Sequence, residues 1–264
     1  MDQRERLASI VKRIQAEREL ESSLVAAKKQ QLHMLPDPPQ VPGLEFGAYY
    51  SPSSQLGGDF YDFVDVGPDE VGTAIGDVSG HGIPAALVMG MTKKTINIFG
   101  RGVSSSAATL AHANADLHKD FSRGFFVTVL YTVFNRRTQT LNFCRAGHPP
   151  LVLANPNRKP QMEVFEPRGL AMGIDDGRRF NPLLEEKHIQ LIKGDLIFLY
   201  TDGLWEATNR DREEYGKKRI ENTILRNVDR PMDEIIQALE VDVYTFMDGR
   251  EQEDDITMVG FRVK

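Results

Sequence analysis

Along this 264-residue chain, several predicted strands follow one another and then several predicted helices, so that the two types form blocks and do not alternate one by one. Apolar and β-branched runs with a period of two, bounded by Gly, Pro, Ser or Asp, predict the strands, and the first three of these favour an antiparallel meander. Blocks of this kind predict an α+β sandwich of two mainly antiparallel sheets with helix pairs outside, and they argue against a parallel βαβ fold. Strands are predicted at 44–50, 59–66, 71–78, 125–134, 140–146, 151–154, 163–165, 187–192, 195–201 and 256–263, and helices at 84–99, 104–121, 216–226 and 232–248.

The N-terminal segment is predicted to be one long helix. Residues 3–35 contain no Gly or Pro, and charges of both signs surround a narrow apolar stripe. The stripe fits a coiled-coil seam that charged residues interrupt, and it equally fits a solvated helix packed on its own domain. The proline-rich stretch 36–43 ends the helix. We therefore predict a helical linker or dimerisation segment over residues 1–35 and a larger domain over residues 36–264.

The composition excludes several classes of protein. There are 32 Lys and Arg residues against 38 Asp and Glu residues, and the net charge of −6 argues against a nucleic acid or an anionic membrane as the main partner. No apolar run approaches the roughly 18 residues that a membrane span needs, so we expect no membrane insertion. The single cysteine, Cys144, has no internal disulfide partner, and the first residues lack a secretory signal pattern. These features predict a cytoplasmic protein.

Acidic residues stand at four places where a predicted strand meets a turn. Asp59 follows a glycine pair in G-G-D-F-Y-D, Asp77 lies in G-D-V-S-G-H-G, and Asp202 precedes a glycine in L-Y-T-D-G. Asp254 and Asp255 precede the last strand in E-D-D-I-T. Each site alone is more simply a turn whose carboxylate binds its own backbone. Burying several carboxylates together costs free energy unless a cation compensates their charge. Oxygen ligands without His or Cys clusters favour Mg²⁺ or Mn²⁺ over zinc.

These motifs, together with R-A-G-H-P-P, resemble the PPM-type (protein phosphatase 2C-like) serine/threonine phosphatases, and most of all their bacterial SpoIIE/RsbU branch. The resemblance covers about residues 30–264. It implies an α-β-β-α sandwich, which agrees with the block pattern. It also implies hydrolysis of phosphoserine or phosphothreonine by a metal-bridging hydroxide, with two divalent cations, Mn²⁺ or Mg²⁺, as cofactors.

The resemblance also implies the metal ligands. It makes Asp77 the bridging ligand, with Asp59 and the carbonyl group of Val78 completing the first ion. Asp202 and Asp254 would hold the second ion. Asp254 is preferred to its neighbour because the ligand of the family is the first residue of the acidic pair. Asp77 is therefore both a catalytic and a metal-binding candidate.

Three further residues have open roles. His81, in G-H-G, is a candidate catalytic residue, as a water-mediated contact or as a general acid for the leaving serine oxygen; a turn histidine with one backbone bond explains it equally well. Asp62 is a weaker ligand candidate that a structural role also explains. Eukaryotic relatives bind the substrate phosphate with an arginine near the first acidic motif, and S-P-S-S-Q-L-G-G-D has none. Arg145 is a distant candidate for that task.

The resemblance further implies partners. In this branch the usual substrate is a phosphorylated STAS-domain anti-sigma-factor antagonist in a partner-switching pathway, and the N-terminal helix often couples a sensor domain or a dimer partner to the phosphatase. We therefore predict a homodimer through residues 7–24 and control by a regulatory protein or a sensor domain. Two alternatives stay open: a catalytically weak docking module of the same fold, and a phosphatase of small phosphoesters.

Overall fold

The computed structural model describes residues 3–122 and 124–264 and contains, within them, two five-stranded antiparallel sheets. Sheet A consists, in spatial order, of β1 (Leu44–Ser51), β10 (Ile256–Val263), β9 (Leu196–Tyr200), β6 (Leu151–Ala154) and β7 (Met162–Phe165). Sheet B consists of β2 (Phe60–Gly67), β3 (Glu70–Val78), β4 (Val127–Asn135), β5 (Thr140–Ala146) and β8 (Glu186–Gln190).

Helices cover the outer faces of both sheets. The pair α2 (Gly82–Gly100) and α3 (Ser106–Leu117) packs on sheet B, and the pair α6 (Lys217–Asn227) and α7 (Met232–Met247) packs on sheet A. The predicted α-β-β-α sandwich is confirmed. Two short helices, α4 (Phe180–Leu183) and α5 (Asp202–Glu206), were not expected from the sequence, since each is too short to show a helical period.

Strand alternation distributes the apolar side chains over three buried layers. In β2, Phe60 and Val64 face the α2/α3 layer, whereas Tyr61 lies between the two sheets. In β3, Ile75 likewise lies between the sheets. A third layer separates sheet A from α6 and α7. Each fully buried large apolar side chain contributes about 1.5–3 kcal/mol to the free energy of folding. The three layers together therefore fix the positions of the strands and of their ends.

The predicted meander of the first three strands is wrong. Strands β2 and β3 do pair, but β1 pairs with β10 in the other sheet, where Phe46 lies opposite Phe261. The loop after β1 therefore carries the chain from sheet A to sheet B. Local alternation predicts that a strand forms, but it does not encode a partner more than 200 residues away, since such a pairing depends on the tertiary fold.

The N-terminal helix α1 (Gln3–Met34) is confirmed, and most of it is exposed. Its C-terminal end is anchored: Gln31 exchanges two hydrogen bonds with the backbone of Gly57, and Met34 packs beside Gly90 of α2. Packing on its own domain therefore explains only the last turns of α1. In residues 3–122 and 124–264, no helix has both the length and the apolar character needed to cross a bilayer. Among the described residues, the exposed large apolar side chains of α1 are Leu7, Ile10, Val11, Ile14, Leu20, Val25 and Leu32.

Candidate active site

The four predicted carboxylates lie where the ends of the two sheets meet. Asp59 directly precedes β2 and Asp77 lies near the end of β3, and the antiparallel register makes the two residues neighbours. Asp202 directly follows the Thr201 cap after β9, and Asp254 lies just before β10, which pairs with β9. Each sheet therefore contributes two carboxylates from adjacent strands to one region.

Asp77 lies at the electrostatic centre of this group. Burial, together with the negative charges of Asp202 and Asp254, raises the pKa of Asp77 to about 7. Burial also raises the pKa of Asp59, with the charges of Asp77 and Asp255 adding to the effect. The pKa values of Asp202 and Asp254 are raised too, again chiefly by burial. A cation among these groups would favour their charged forms.

The donor set fits a hard divalent cation, because carboxylate and carbonyl oxygens are the ligands that Mg²⁺ and Mn²⁺ prefer. Among the described residues, however, no group of three or more His, Cys, Asp or Glu side chains is so arranged that it could hold a metal ion as it stands. Like charges repel one another without a cation, which favours side-chain orientations that spread the carboxylates. The ligand roles of Asp59, Asp77, Val78, Asp202 and Asp254 therefore stay predictions.

Two buried threonines of sheet A hold Asp59. Thr201 Oγ1 donates a hydrogen bond to Asp59 Oδ2 at 2.7 Å, and Thr257 Oγ1 donates to the same oxygen at 2.6 Å. Both threonines are fully buried, and Asp59 is 2% exposed. We did not expect these contacts from the sequence. One feature of the sequence could have indicated them. In T-D-G and in D-D-I-T, a threonine inside or beside a predicted apolar strand lies next to the acidic residue.

Asp255 anchors the loop that joins β1 to β2. Its Oδ1 accepts a hydrogen bond from the backbone N–H of Ser53 at 2.8 Å, and its Oδ2 accepts one from the backbone N–H of Gly58 at 2.8 Å. The carboxylate of Asp255 is thus occupied inside the protein. Both residues line the cleft described below, but Asp255 is buried whereas Asp254 is exposed, and among the described residues Asp254 makes no hydrogen bond to the loop that joins β1 to β2. This difference supports Asp254 as the ligand candidate of the pair.

Two glycines allow the backbone segments of the site to approach closely. A Cβ atom on Gly203 would collide with the carbonyl group of Asp255. A Cβ atom on Gly58 would lie 2.9 Å from the carbonyl oxygen of Val78, the predicted backbone ligand. Contacts under 3.0 Å force a shift of the backbone, so a side chain at either position would disturb the site.

A cleft of about 490 Å³ opens beside the carboxylates, and Asp77, His81, Asp254 and Ser53 contribute to its walls. His81 is exposed and directly precedes α2, but its side chain does not cap that helix. In the part of the chain that the structure describes, the His81 ring makes no hydrogen bond to the backbone. The explanation of His81 as a turn histidine requires such a hydrogen bond, so the described contacts do not support it. A role of His81 in proton transfer stays a prediction.

Asp62 and Arg145 have contacts that favour structural roles. Asp62 is buried, and it forms an ion pair of 2.8 Å with Lys93 and accepts a hydrogen bond of 2.9 Å from Asn97, so it ties β2 to α2. The Arg145 guanidinium donates to two backbone carbonyl groups, of Pro167 and His148, at 2.9 and 2.7 Å. These contacts hold the turn after β5 together.

The SpoIIE family model (Stage II sporulation protein E) matches residues 67–264, which is more than half of the chain. The chain belongs to the SpoIIE family. The matched region includes Asp77, Asp202 and Asp254, whereas Asp59 lies just before it.

Individual relatives agree with this assignment. The chain is 29% identical over 192 residues to the phosphoserine phosphatase RsbU of Bacillus subtilis, a match that covers 72% of this chain and 56% of RsbU. The chain thus spans a little over half the length of that relative.

Solved structures show the same fold. The SiaA-PP2C domain of Pseudomonas aeruginosa superposes with a TM-score of 0.83 at 21% identity and covers 94% of this chain and 99% of the domain. RsbX, solved in complex with magnesium, has a TM-score of 0.61 at 14% identity, with 86% of this chain and 98% of RsbX covered. At these identities the two structures establish the PP2C fold alone.

Proposed function

We propose that this chain is a metal-dependent protein phosphatase that hydrolyses phosphoserine or phosphothreonine. The observation that carries the proposal is the convergence of four carboxylates from the ends of both sheets, close enough to change one another's pKa. The name of its relative RsbU, a phosphoserine phosphatase, supports the same reaction. In this proposal Asp59, Asp77 and the Val78 carbonyl group hold one divalent ion, and Asp202 and Asp254 hold a second, with Asp77 shared between them.

Two such ions supply, when bound, an activated water at neutral pH and compensation for the charge of the phosphoryl oxygens. The residues of the chain orient the reaction. The cleft gives a phosphorylated side chain access to the carboxylates, and His81 at its wall would donate a proton to the leaving serine oxygen. The magnesium complex of RsbX supports Mg²⁺ as one candidate metal, and Mn²⁺ is the other.

The proposed substrate is a phosphorylated STAS-domain anti-sigma-factor antagonist in a partner-switching pathway in the cytoplasm. The resemblance of the motifs implies this choice, and similarity over 72% of this chain to RsbU, a phosphoserine phosphatase, supports a substrate that carries phosphoserine. A regulatory protein or a sensor domain would control the reaction through α1, whose C-terminal end is joined to the loop of Gly57 by Gln31.

We also propose a homodimer through residues 7–24. Five large apolar side chains of this part of α1 are 41–64% exposed in the described structure: Leu7, Ile10, Val11, Ile14 and Leu20. A second copy of α1 would bury them in a coiled-coil seam, which is the arrangement that a narrow apolar stripe favours.

Phosphate release from a phosphorylated STAS protein tests the proposed reaction. Wild-type chain should release phosphate only with Mn²⁺ or Mg²⁺ present, and the D77N variant should lose at least about a hundredfold in kcat/KM, because a direct ligand matters at least as much as an outer-shell partner. Asp65→Asn is a matched control, since Asp65 is exposed on β2, and it should retain the wild-type rate.

The same assay separates the alternatives. A docking module would release no phosphate from any substrate at saturating metal. A phosphatase of small phosphoesters would give a higher kcat/KM with nucleotides or p-nitrophenyl phosphate than with the phosphoprotein. Either result would contradict the proposed protein-phosphatase activity.

A further inference from the structure

The contact between the two sheets at Asp59 carries an inference beyond the carboxylates themselves. We infer that Thr201 and Thr257 are positioning residues, which orient the Asp59 carboxylate for binding a divalent cation. The inference rests on the proposed function. It extends that function by assigning a role to two uncharged side chains, one in β10 and one directly after β9, in addition to the predicted ligands.

Both hydroxyl groups use the same carboxylate oxygen. A carboxylate oxygen has two lone-pair sites, and Oδ2 of Asp59 receives Thr201 Oγ1 at 2.7 Å and Thr257 Oγ1 at 2.6 Å. Oδ2 is therefore fully used by the protein. The other oxygen, Oδ1, receives neither hydroxyl and remains the one that can serve an ion. Rotation of the carboxylate would break both hydrogen bonds.

The direction of the Thr201 hydroxyl is also determined. Its Oγ1 accepts a hydrogen bond from the backbone N–H of Thr257 at 3.0 Å, so its single proton is free to point to Asp59. The competing acceptor, the carbonyl oxygen of Asp255, is 3.5 Å away, which is much longer than the 2.7 Å contact. The three side chains form a closed network.

The network lies on rigid elements and away from solvent. Thr257 belongs to β10 and Thr201 follows β9, which pairs with β10, so the sheet itself sets the spacing of the two hydroxyl groups. Thr201 and Thr257 are 0% exposed, and Asp59 is 2% exposed. Sites supported from rigid elements by buried hydrogen bonds hold their ligands more precisely than sites on loops.

A positioning role and a purely structural role predict different measurements. A structural hydrogen bond contributes to the melting temperature, and its loss leaves the metal affinity of the folded protein unchanged. An outer-shell partner of a metal ligand changes the affinity itself, typically by 10–100-fold. Thr257 is the better residue to substitute, because its hydroxyl group donates a hydrogen bond to Asp59. The Thr201 hydroxyl group also accepts a hydrogen bond from a backbone N–H, so its removal would disturb the backbone as well.

The experiment measures the Kd for Mn²⁺ by isothermal titration calorimetry on the full chain, at a temperature where every variant is folded. T257V keeps the side-chain shape and removes the hydroxyl, so we expect about tenfold weaker binding. T257S keeps the hydroxyl and removes a methyl group, so its Kd should stay within about twofold of wild type even if its melting temperature falls. T92V is the control, because Thr92 is fully buried and its hydroxyl has no partner in the described structure.

The outcomes are distinct. A folded T257V variant that binds Mn²⁺ like wild type would overturn the inference and leave the proposed function intact. A wild-type chain that binds no Mn²⁺ would overturn both. Should T257V fail to fold, T201V removes the second hydroxyl donor and is judged by the same tenfold criterion. Equal weakening in T257S and T257V would also contradict the inference, because it would show that the methyl group matters instead of the hydroxyl.

Discussion

At the scale of single residues, the charge of Asp77 depends strongly on its surroundings. Its side chain is largely buried and it lies among other carboxylates, and these two effects raise its pKa from 3.8 to about 7. Without a cation, the protonated form of Asp77 is therefore favoured in the folded protein at mildly acidic pH. With a cation, the same burial strengthens the attraction between Asp77 and the ion.

This shift predicts the pH dependence of the metal-free protein. Because the folded pKa of Asp77, about 7, exceeds its unfolded value of 3.8, its contribution to stability is complete below about pH 4 and is lost as the pH rises through 7. With a chelator present, the free energy of unfolding from urea titrations should fall between about pH 4 and pH 7 more steeply for wild type than for D77N.

The comparison with D77N is needed because another buried group acts in the opposite direction. Burial lowers the pKa of His148 to about 3, with the charge of Arg145 adding to the effect, so its contribution to stability is lost as the pH falls below about 6.5. His148 is present in both proteins and cancels in their difference. Equal pH slopes for wild type and D77N would refute the raised pKa of Asp77.

At the scale of elements, α1 differs from the other long helices because its apolar stripe is exposed. The helices α2, α3, α6 and α7 bury theirs against a sheet. The last turns of α1 contact the rest of the chain through Gln31 and Met34. The exposed apolar side chains Ile10, Ile14 and Leu20 are therefore accessible to another copy.

The proposed dimer can be tested with one substitution in that stripe. Ile14→Glu places a charge in the apolar seam and should convert a dimer into a monomer in light scattering, since an unpaired charge is costly to bury. Gln15→Glu introduces the same side chain at the adjacent exposed polar position and should leave the dimer mass unchanged. A wild-type monomer at working concentration, or a dimer that tolerates Ile14→Glu, would exclude this interface.

At the scale of the whole molecule, the candidate site joins the two sheets. Asp59 and Asp77 belong to the sheet B side, and Asp202 and Asp254 belong to the sheet A side. A cation bound by both pairs would replace their repulsion by attraction across the sandwich. Ligand binding at this place is therefore linked to the stability of the complete domain.

Metal addition and removal should change the melting temperature accordingly. At a Mn²⁺ concentration of about 100 times Kd, binding to the native state adds about 2.7 kcal/mol, which for a domain of this size corresponds to a rise of roughly 5–10 °C over the chelated protein. The rise should be much smaller for D77N. An unchanged melting curve of the wild-type chain at saturating Mn²⁺ would contradict a metal site between the sheets.

Local sequence patterns predicted most elements because alternation and turn residues act over a few positions. The bounds of β5, β6 and β10 agree with those predicted, and the long helices differ by a few residues at their ends. The pairing of β1 with β10 was missed, since it joins segments that are distant in the chain. The short α5 was missed because Asp202 and Gly203 read as a turn after a strand.

The sequence by itself determined the chemistry of the candidate site: acidic residues at strand ends, with glycines beside most of them, offer oxygen ligands suited to a hard cation. Only the tertiary structure decided how neighbouring residues divide their roles. Asp255 is buried and holds a loop while Asp254 is exposed beside it, and two threonines reach Asp59 from the other sheet. These contacts join residues about 140 to 200 positions apart, and their geometry depends on how the two sheets pack.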